Sequence, residues 1–274
     1  MPLVTLTSDI GLQDYLVGAI KGRLYSINPQ FNIADITHQL PPFNYPQAAY
    51  VCRNAIYNFP DHTFHIVLIN LFDQQSQQLL LCYHNKQYIL CADNGFITMI
   101  LESKPELVIR LPAAGATGNA LECAQVFGNA INKVANGSSI KEVGEPDVEI
   151  IEKNHLRPLL GENWIEGQII FIDNFENVIV NITRAEFEEQ RRGRSFQIVF
   201  KRDEVINTIS ESYAGVSEGE KLALFNSAGY LEIAINKGNS AGLFGLHGFM
   251  EPLQNNYLQN KLYYQTVRVY FIQI

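Results

Sequence analysis

The chain has 274 residues, 47% of them hydrophobic and 18% charged, with a formal charge of −8. That length fits one large domain or two ordinary ones, and the composition supports a sizeable core while excluding disorder. The acidic balance argues against a polyanion-binding face: the one basic cluster, Arg191-Arg192-Gly193-Arg194, ends an acidic helix, so no nucleic-acid partner is expected, whereas a small cationic ligand is admitted.

The first half alternates strand and helix signals. Residues 3–7 (LVTLT) read as a short apolar strand, 14–27 as a helix and 31–37 (FNIADIT) as a second strand. A helix over 45–59 starts near Pro46, and 64–70 (FHIVLIN) is a buried strand. Residues 78–85 and 86–93 flank a short turn around Asn85 and Lys86, as in a hairpin. Residues 95–101 read as a short helix or a continuation, 106–111 as a strand, and 120–137 as a helix ended by Gly137. This pattern predicts an N-terminal α/β domain over 1–155, with a mostly parallel sheet flanked by helices. A polar, Pro/Gly-punctuated run over 138–163 reads as a linker, with the boundary around 150–163. Strands follow at 164–173, 177–183, 195–201, 221–226, 230–236 and 266–272, interrupted by a helix over 183–191. They predict a small β-barrel or sandwich domain over 164–274.

The N-terminus shows no basic region followed by a long apolar run, and no window approaches eighteen uninterrupted apolar residues. Neither a secretory signal nor a membrane span is expected, and the chain reads as cytoplasmic. Cys52, Cys82, Cys91 and Cys123 are far apart, with no CxxC or Cys/His spacing, so reduced buried thiols are expected rather than a metal site. Residues 115–120 (GATGNA) lack the GxGxxG order, and no cofactor site is expected there.

Four segments combine a polar residue with a strand end or a tight turn. In TLTSDIG (5–11), Asp9 stands where the first strand ends, at the edge where open α/β sheets bind ligands, or it caps the following helix. In DITHQLPPF (35–43), His38 reads as a strand-end histidine bonded to backbone, or as an acid/base group; Phe43 stacks on a planar ligand or belongs to the core. CADNGFIT (91–98) is a turn in which Asp93 and Asn94 are mainly architectural. FIDNFENVIVNIT (171–183) alternates Asp173, Asn174, Asn177 and Asn181 with apolar residues. Such a pattern suits a hairpin, and equally a flat base with donors and acceptors along its edge.

Taken together, TLTSDIGLQDYLVGAIKG, ITHQLPPF, ADNG, FIDNFENVIVNIT and LFNSAGYLEIAINKGNSA resemble, in the same order, the signatures of the SAM hydroxide adenosyltransferases (SAM hydrolases), a family that includes SAM-dependent fluorinases and chlorinases. The resemblance implies an α/β domain followed by a β-barrel, and trimers with the site between neighbouring subunits. It implies that Asp9 holds the ribose hydroxyls and Phe43 packs on the nucleoside, while Asp173, Phe175 and Asn177 meet the adenosine or the amino-acid end. Ser227 is placed with these substrate-binding residues on the same ground. The implied reaction is in-line displacement at the ribose 5′ carbon of S-adenosylmethionine by water, giving adenosine and methionine with no further cofactor.

The water site departs from the family pattern. An ungapped match puts Asn70 where the family's aspartate belongs and Gln77 where its arginine belongs, with Glu122 at the histidine position and Gln125 at a second aspartate. Amides hydrogen-bond a water but take no proton from it. Asp73, three residues along, or Glu122 is the candidate substitute; a solvated loop carboxylate and a helix-surface glutamate are the plain alternatives. Two functional readings remain open here: a hydrolase with a rebuilt water site, and a catalytically silent trimer that binds S-adenosylmethionine or adenosine.

Overall fold

The computed structural model describes residues 1–73, 78–112, 118–201, 204–246 and 265–272. Its contacts divide the chain into two units, Met1–His155 and Leu156–Ile274.

Unit 1 carries β1 (Leu3–Ser8), α1 (Leu16–Ile27), β2 (Asn32–Thr37), α2 (Tyr45–Ile56), β3 (Phe64–Leu68), β4 (Leu79–His84), β5 (Gln87–Ala92), α3 (Phe96–Leu101), β6 (Leu107–Arg110), α4 (Ala120–Ala135) and β7 (Glu145–Pro146). Among the described residues the strands form one sheet in the order β2-β1-β3-β5-β4-β6-β7. The pairs β2-β1, β1-β3 and β3-β5 are parallel, whereas β5-β4, β4-β6 and β6-β7 are antiparallel. Helical crossovers through α1 and α2 make β1, β2 and β3 parallel, and β5 joins them in parallel because the chain passes from β3 through β4 and reverses before it pairs with β3. At β4-β5 the two-residue turn, with Asn85 and Lys86 both at positive φ, can only bring the chain back antiparallel.

Strand periodicity distributes the core over both faces. Leu6, Ile66 and Leu68 pack with Ile20 and Leu24 of α1 and Phe127 and Ile131 of α4. Val67, Ile69, Ile89 and Cys91 face the other way, against Ala48 and Cys52 of α2 and Phe96 and Ile100 of α3. Gly128 lets α1 and α4 close on each other, since a Cβ there would lie 2.5 Å from Ile27 Cδ1. The helix starts follow local chemistry. Asn44 caps α2 through Gln47 N with Pro46 in the first turn, and Asn119 caps α4 through Leu121 N and Glu122 N. The helix expected from residue 14 begins at Leu16, whose N–H donates to Asp14 Oδ1 at 2.8 Å. The cap reading for Asp9 is therefore corrected: among the described residues no side chain caps α1, whose first N–H is met by Asp14 just ahead of Tyr15, and Asp9 is left at the strand end.

Unit 2 carries β8 (Leu159–Leu160), β9 (Trp164–Ile172), β10 (Val178–Thr183), α5 (Arg184–Arg191), β11 (Ser195–Lys201), β12 (Glu204–Ile206), β13 (Lys221–Phe225), β14 (Tyr230–Ile235) and β15 (Thr266–Ile272). Its antiparallel sheet runs β12-β11-β15-β9-β10-β14-β13, with β8 on β9. A bridge between Ile209 and Ala223 brings the chain beyond β12 onto β13, so the sheet curls nearly into a barrel. Inside lie Ile165, Val178, Val180, Ile198, Ile233, Val267 and Val269. Phe187 of α5 plugs the core, meeting Phe196, Phe225 and Phe271 edge-on at 5.1, 5.3 and 5.8 Å. A capping box starts that helix: Thr183 N–H donates to Glu186 Oε2, and Glu186 N–H to Thr183 Oγ1.

Candidate functional site

The chain leaves β1 through α1 to β2 on one side and returns through α2 to β3 on the other. The loops at the carboxyl ends of β1 and β3 therefore diverge, which is the switch point where open sheets leave a crevice. Asp9 follows β1 and Asn70 follows β3, and the two are joined: Asn70 N–H donates to Asp9 Oδ2 at 2.8 Å. Burial raises the Asp9 carboxyl above the usual carboxylate range, opposed by the backbone N–H groups of Asn70 and of Asp9 itself.

Asn70 has a left-handed backbone (φ 46) and is 8% exposed. Its Oδ1 accepts from Phe43 N at 3.1 Å, and its carbonyl accepts from Asn94 Nδ2 at 3.1 Å and Asp73 N at 3.3 Å. The Oδ1 contact fixes the amide orientation and leaves Nδ2 as a buried donor with no partner among the described residues. Phe43 also has positive φ and is 75% exposed, so the core alternative for it is removed. Asp93 and Asn94 are architectural, as read: Asp93 Oδ1 accepts from Ile151 N at 2.9 Å, and Asn94 Nδ2 donates to the carbonyls of Ile69 and Asn70.

His38 is corrected in its partners. Its ring is bonded to a side chain rather than backbone, with Nδ1 2.7 Å from Ser8 Oγ, while Nε2 lies 3.2 Å from Asp35 Oδ1, which Lys21 also engages, without hydrogen-bond geometry. Its carbonyl accepts from Gly11 N at 2.6 Å, which fastens the loop after Asp9 to the end of β2. At 2% exposure it braces the β1 and β2 ends instead of presenting an acid or base.

Asp73 is drawn toward α2, where Tyr45 O–H donates to its Oδ2 at 3.0 Å and Lys153 Nζ stands 3.5 Å away. The same ammonium lies 3.8 Å from the centre of the Tyr45 ring. Glu122 sits exposed in the first turn of α4, where its charge complements the helix dipole, and among the described residues no hydrogen bond joins it to Asp9, Asn70 or Asp73. Gln77 lies outside the described residues, as do residues 115–117 of the 115–120 segment. Gln125 accepts from Arg23 Nη1 at 3.4 Å across the α1–α4 contact.

In unit 2 the Asp173–Asn177 turn is closed by its own polar groups. Asp173 Oδ1 accepts from Phe175 N and Asn177 N at 2.9 and 2.8 Å, and Asp173 Oδ2 accepts from Asn177 Nδ2 at 3.0 Å. This leaves Phe175 at the tip, 75% exposed. Ser240 Oγ and Ala241 N both reach the Glu176 carbonyl at 2.9 Å, clamping the turn from the NKGNSA segment. Asn181 is not part of this group, because Oδ1 accepts from Gln168 N and Nδ2 donates to Leu156 O. Ser227 is exposed in the turn that Asn226 Oδ1 organises by accepting from Ala228 N and Tyr230 N.

Two residues escaped the sequence reading. Lys153 lies in the run taken for a linker, and its link to Asp73 spans 80 positions that no short pattern covers. Glu232 is 2% exposed on β14, accepts from Tyr213 O–H at 2.7 Å, and has its carboxyl raised by burial. The signal for Glu232 was a single carboxylate inside the otherwise apolar run YLEIAI. All four cysteines are free and buried, as expected. Among the described residues no helix is long and apolar enough to cross a membrane, and no group of three or more His, Cys, Asp or Glu is placed to hold a metal ion.

Comparison with known proteins gives two family matches: SAM hydroxide adenosyltransferase N-terminal domain over residues 4–144 and C-terminal domain over 167–251. The chain is 26% identical over 258 residues to the (R)-S-adenosyl-L-methionine hydrolase of Methanocaldococcus jannaschii, covering 90% of this chain and 93% of that one. It is 27% identical over 255 residues to the protein of the same name from Thermus thermophilus, covering 89% and 95%. The crystal structure of an uncharacterized conserved protein from Thermotoga maritima shares the fold, with a TM-score of 0.79 at 21% identity over 97% of this chain and 99% of that one.

Proposed function

The chain belongs to the SAM hydroxide adenosyltransferase family, and from that premise we propose that it cleaves S-adenosylmethionine to adenosine and methionine by in-line attack of water on the ribose 5′ carbon. The observation that carries this reading is the Asp9–Asn70 pair at the switch point. A carboxylate held by a backbone N–H at 2.8 Å is oriented to take two hydroxyl donors from a vicinal diol, and charge-assisted bonds of this kind are strong. Phe43, exposed on the same loop system, offers an apolar face to the nucleoside. The turn of Asp173, Phe175 and Asn177, with Ser227, supplies the second set of contacts, toward the adenosine or the amino-acid end. The sulfonium is already a good leaving group, so the protein's task is to hold the sugar, align the water and exclude solvent. No cofactor beyond the substrate enters this reaction.

The assembly proposed is a cytoplasmic trimer with its site shared between neighbouring subunits. Light scattering after gel filtration should then report three times the 30.9 kDa chain mass. The second reading, a silent binding module, draws on the neutral Asn70 amide, which cannot take a proton from water. One experiment separates them: incubation of the pure protein with S-adenosylmethionine and chromatography for adenosine and methionine. Equal accumulation of both products supports hydrolysis. A rise in Tm with S-adenosylmethionine or adenosine and no products supports the binding module. Absence of both products and stabilisation refutes both readings.

A further inference from the structure

With a neutral Asn70, the charged groups at the water site must come from elsewhere, and one segment delivers them. Residues 147–153 return along unit 1. Asp147 N donates to Val108 O at 3.0 Å, Ile151 N to Asp93 Oδ1 at 2.9 Å, and Lys153 N to Thr98 Oγ1 at 2.9 Å. The Lys153 carbonyl also lies 2.9 Å from Thr98 Oγ1. Its stem crosses Gly95, where a Cβ would come within 2.6 Å of Lys153 Cγ. Its ammonium rests over the Tyr45 ring and beside Asp73. A lysine on a surface ordinarily keeps its rotamer freedom; here main chain, stem and head are each held. The carboxylate it holds is one turn from Asn70, since Asp73 N donates to Asn70 O at 3.3 Å, and Asn70 is the residue whose buried Nδ2 has no partner among the described residues.

We propose that Lys153 is a positioning residue which, with Tyr45, fixes the Asp73 carboxylate beside Asn70 so that Asp73 takes the proton of the attacking water. The inference rests on the hydrolase reading above. In the step it serves, the water oxygen bonds to the ribose 5′ carbon as the carbon–sulfur bond breaks. That electron pair leaves on sulfur as the thioether of methionine, and the water proton passes to Asp73 and on to solvent. Asn70 Nδ2 steadies the water oxygen. Among the described residues, the ionisable groups around Asp73 are Tyr45 on α2, Lys153 on the returning segment, and Asp9 through Asn70. Asp93 is engaged by Ile151 N, and Glu152 is drawn off by Lys104 at 2.7 Å.

The test is S-adenosylmethionine hydrolysis, with kcat and KM measured separately, by the full-length protein and its Lys153→Met, Lys153→Arg and Asp73→Asn variants. Lys153→Met should lower kcat by about tenfold with little change in KM, while Lys153→Arg restores kcat. Asp73→Asn should lower kcat by about a hundredfold, the low end for a general base. An active wild type whose Lys153→Met variant keeps its kcat, or whose Asp73→Asn variant keeps its kcat, overturns this inference alone. A wild type that binds S-adenosylmethionine and releases no adenosine overturns it together with the hydrolase reading.

Discussion

Replacing Asn70 perturbs the site and the fold at one point, and its size follows from the geometry. Alanine keeps the N–H that donates to Asp9 and deletes Oδ1, the acceptor of Phe43 N. A half-buried donor left unpaired costs about 1–2 kcal/mol. Alanine at φ 46 adds strain of about 1 kcal/mol that asparagine tolerates better and glycine does not feel. Asn70→Ala should therefore destabilise unit 1 by about 2–3 kcal/mol, and Asn70→Gly by about 1 kcal/mol less. This order is the reverse of that in a regular helix or strand, where alanine exceeds glycine by a similar amount. Urea unfolding monitored by circular dichroism reads the difference as a shift of midpoint at constant m. Asn70→Ala matching or exceeding Asn70→Gly in stability would show that the left-handed backbone and the Phe43 contact do not govern this residue.

Other expectations follow from buried groups. Burial pushes the His65 imidazole down from 6.5 to about 4, opposed by Gln87 Oε1, which lies 3.3 Å from Nε2, while Nδ1 meets Thr5 Oγ1 at 2.8 Å. The unfolded chain takes up this proton first as pH falls, so the stability contribution is whole above pH 6.5 and lost on going down toward about 4. The loss is about 3 kcal/mol, and His65→Gln should flatten that part of the stability–pH curve measured by urea titration. Gly95→Ala meets both a φ of +83 and the Lys153 stem; it should cost about 2 kcal/mol, falling to about 1 kcal/mol in a Lys153→Ala background where only the backbone part remains. Tyr213→Phe removes the hydroxyl bonded to buried Glu232; a loss of about 1.5–3 kcal/mol is expected at neutral pH, and an unchanged thermal midpoint would contradict it.

The fold class was legible in the sequence because it rests on local periodicity. Period-two apolar runs, the Asn-Pro and Asn caps of α2 and α4, the Asn85-Lys86 turn and the Thr183/Glu186 capping box all act within a few residues. The ordered signatures carried the family, and Asp9 was readable as a strand-end carboxylate. The site was legible only in outline. Asn70, Asp73 and Phe43 could be named, but not that one amide would join Asp9 to Phe43, or that His38 would turn to Ser8 and Asp35.

Those facts belong to the tertiary structure, because they depend on which strand ends the crossovers bring side by side. β1 and β3 are adjacent although 55 residues separate Ser8 from Phe64 in the chain, and only that adjacency sets Asn70 against Asp9. Lys153 is the extreme case, since its neighbours come from α2, the β3 loop and α3. Local propensity dictates where helices and strands begin and end. Which charge meets which carboxylate is decided by long-range packing, where each contact is set by the sum of all the others.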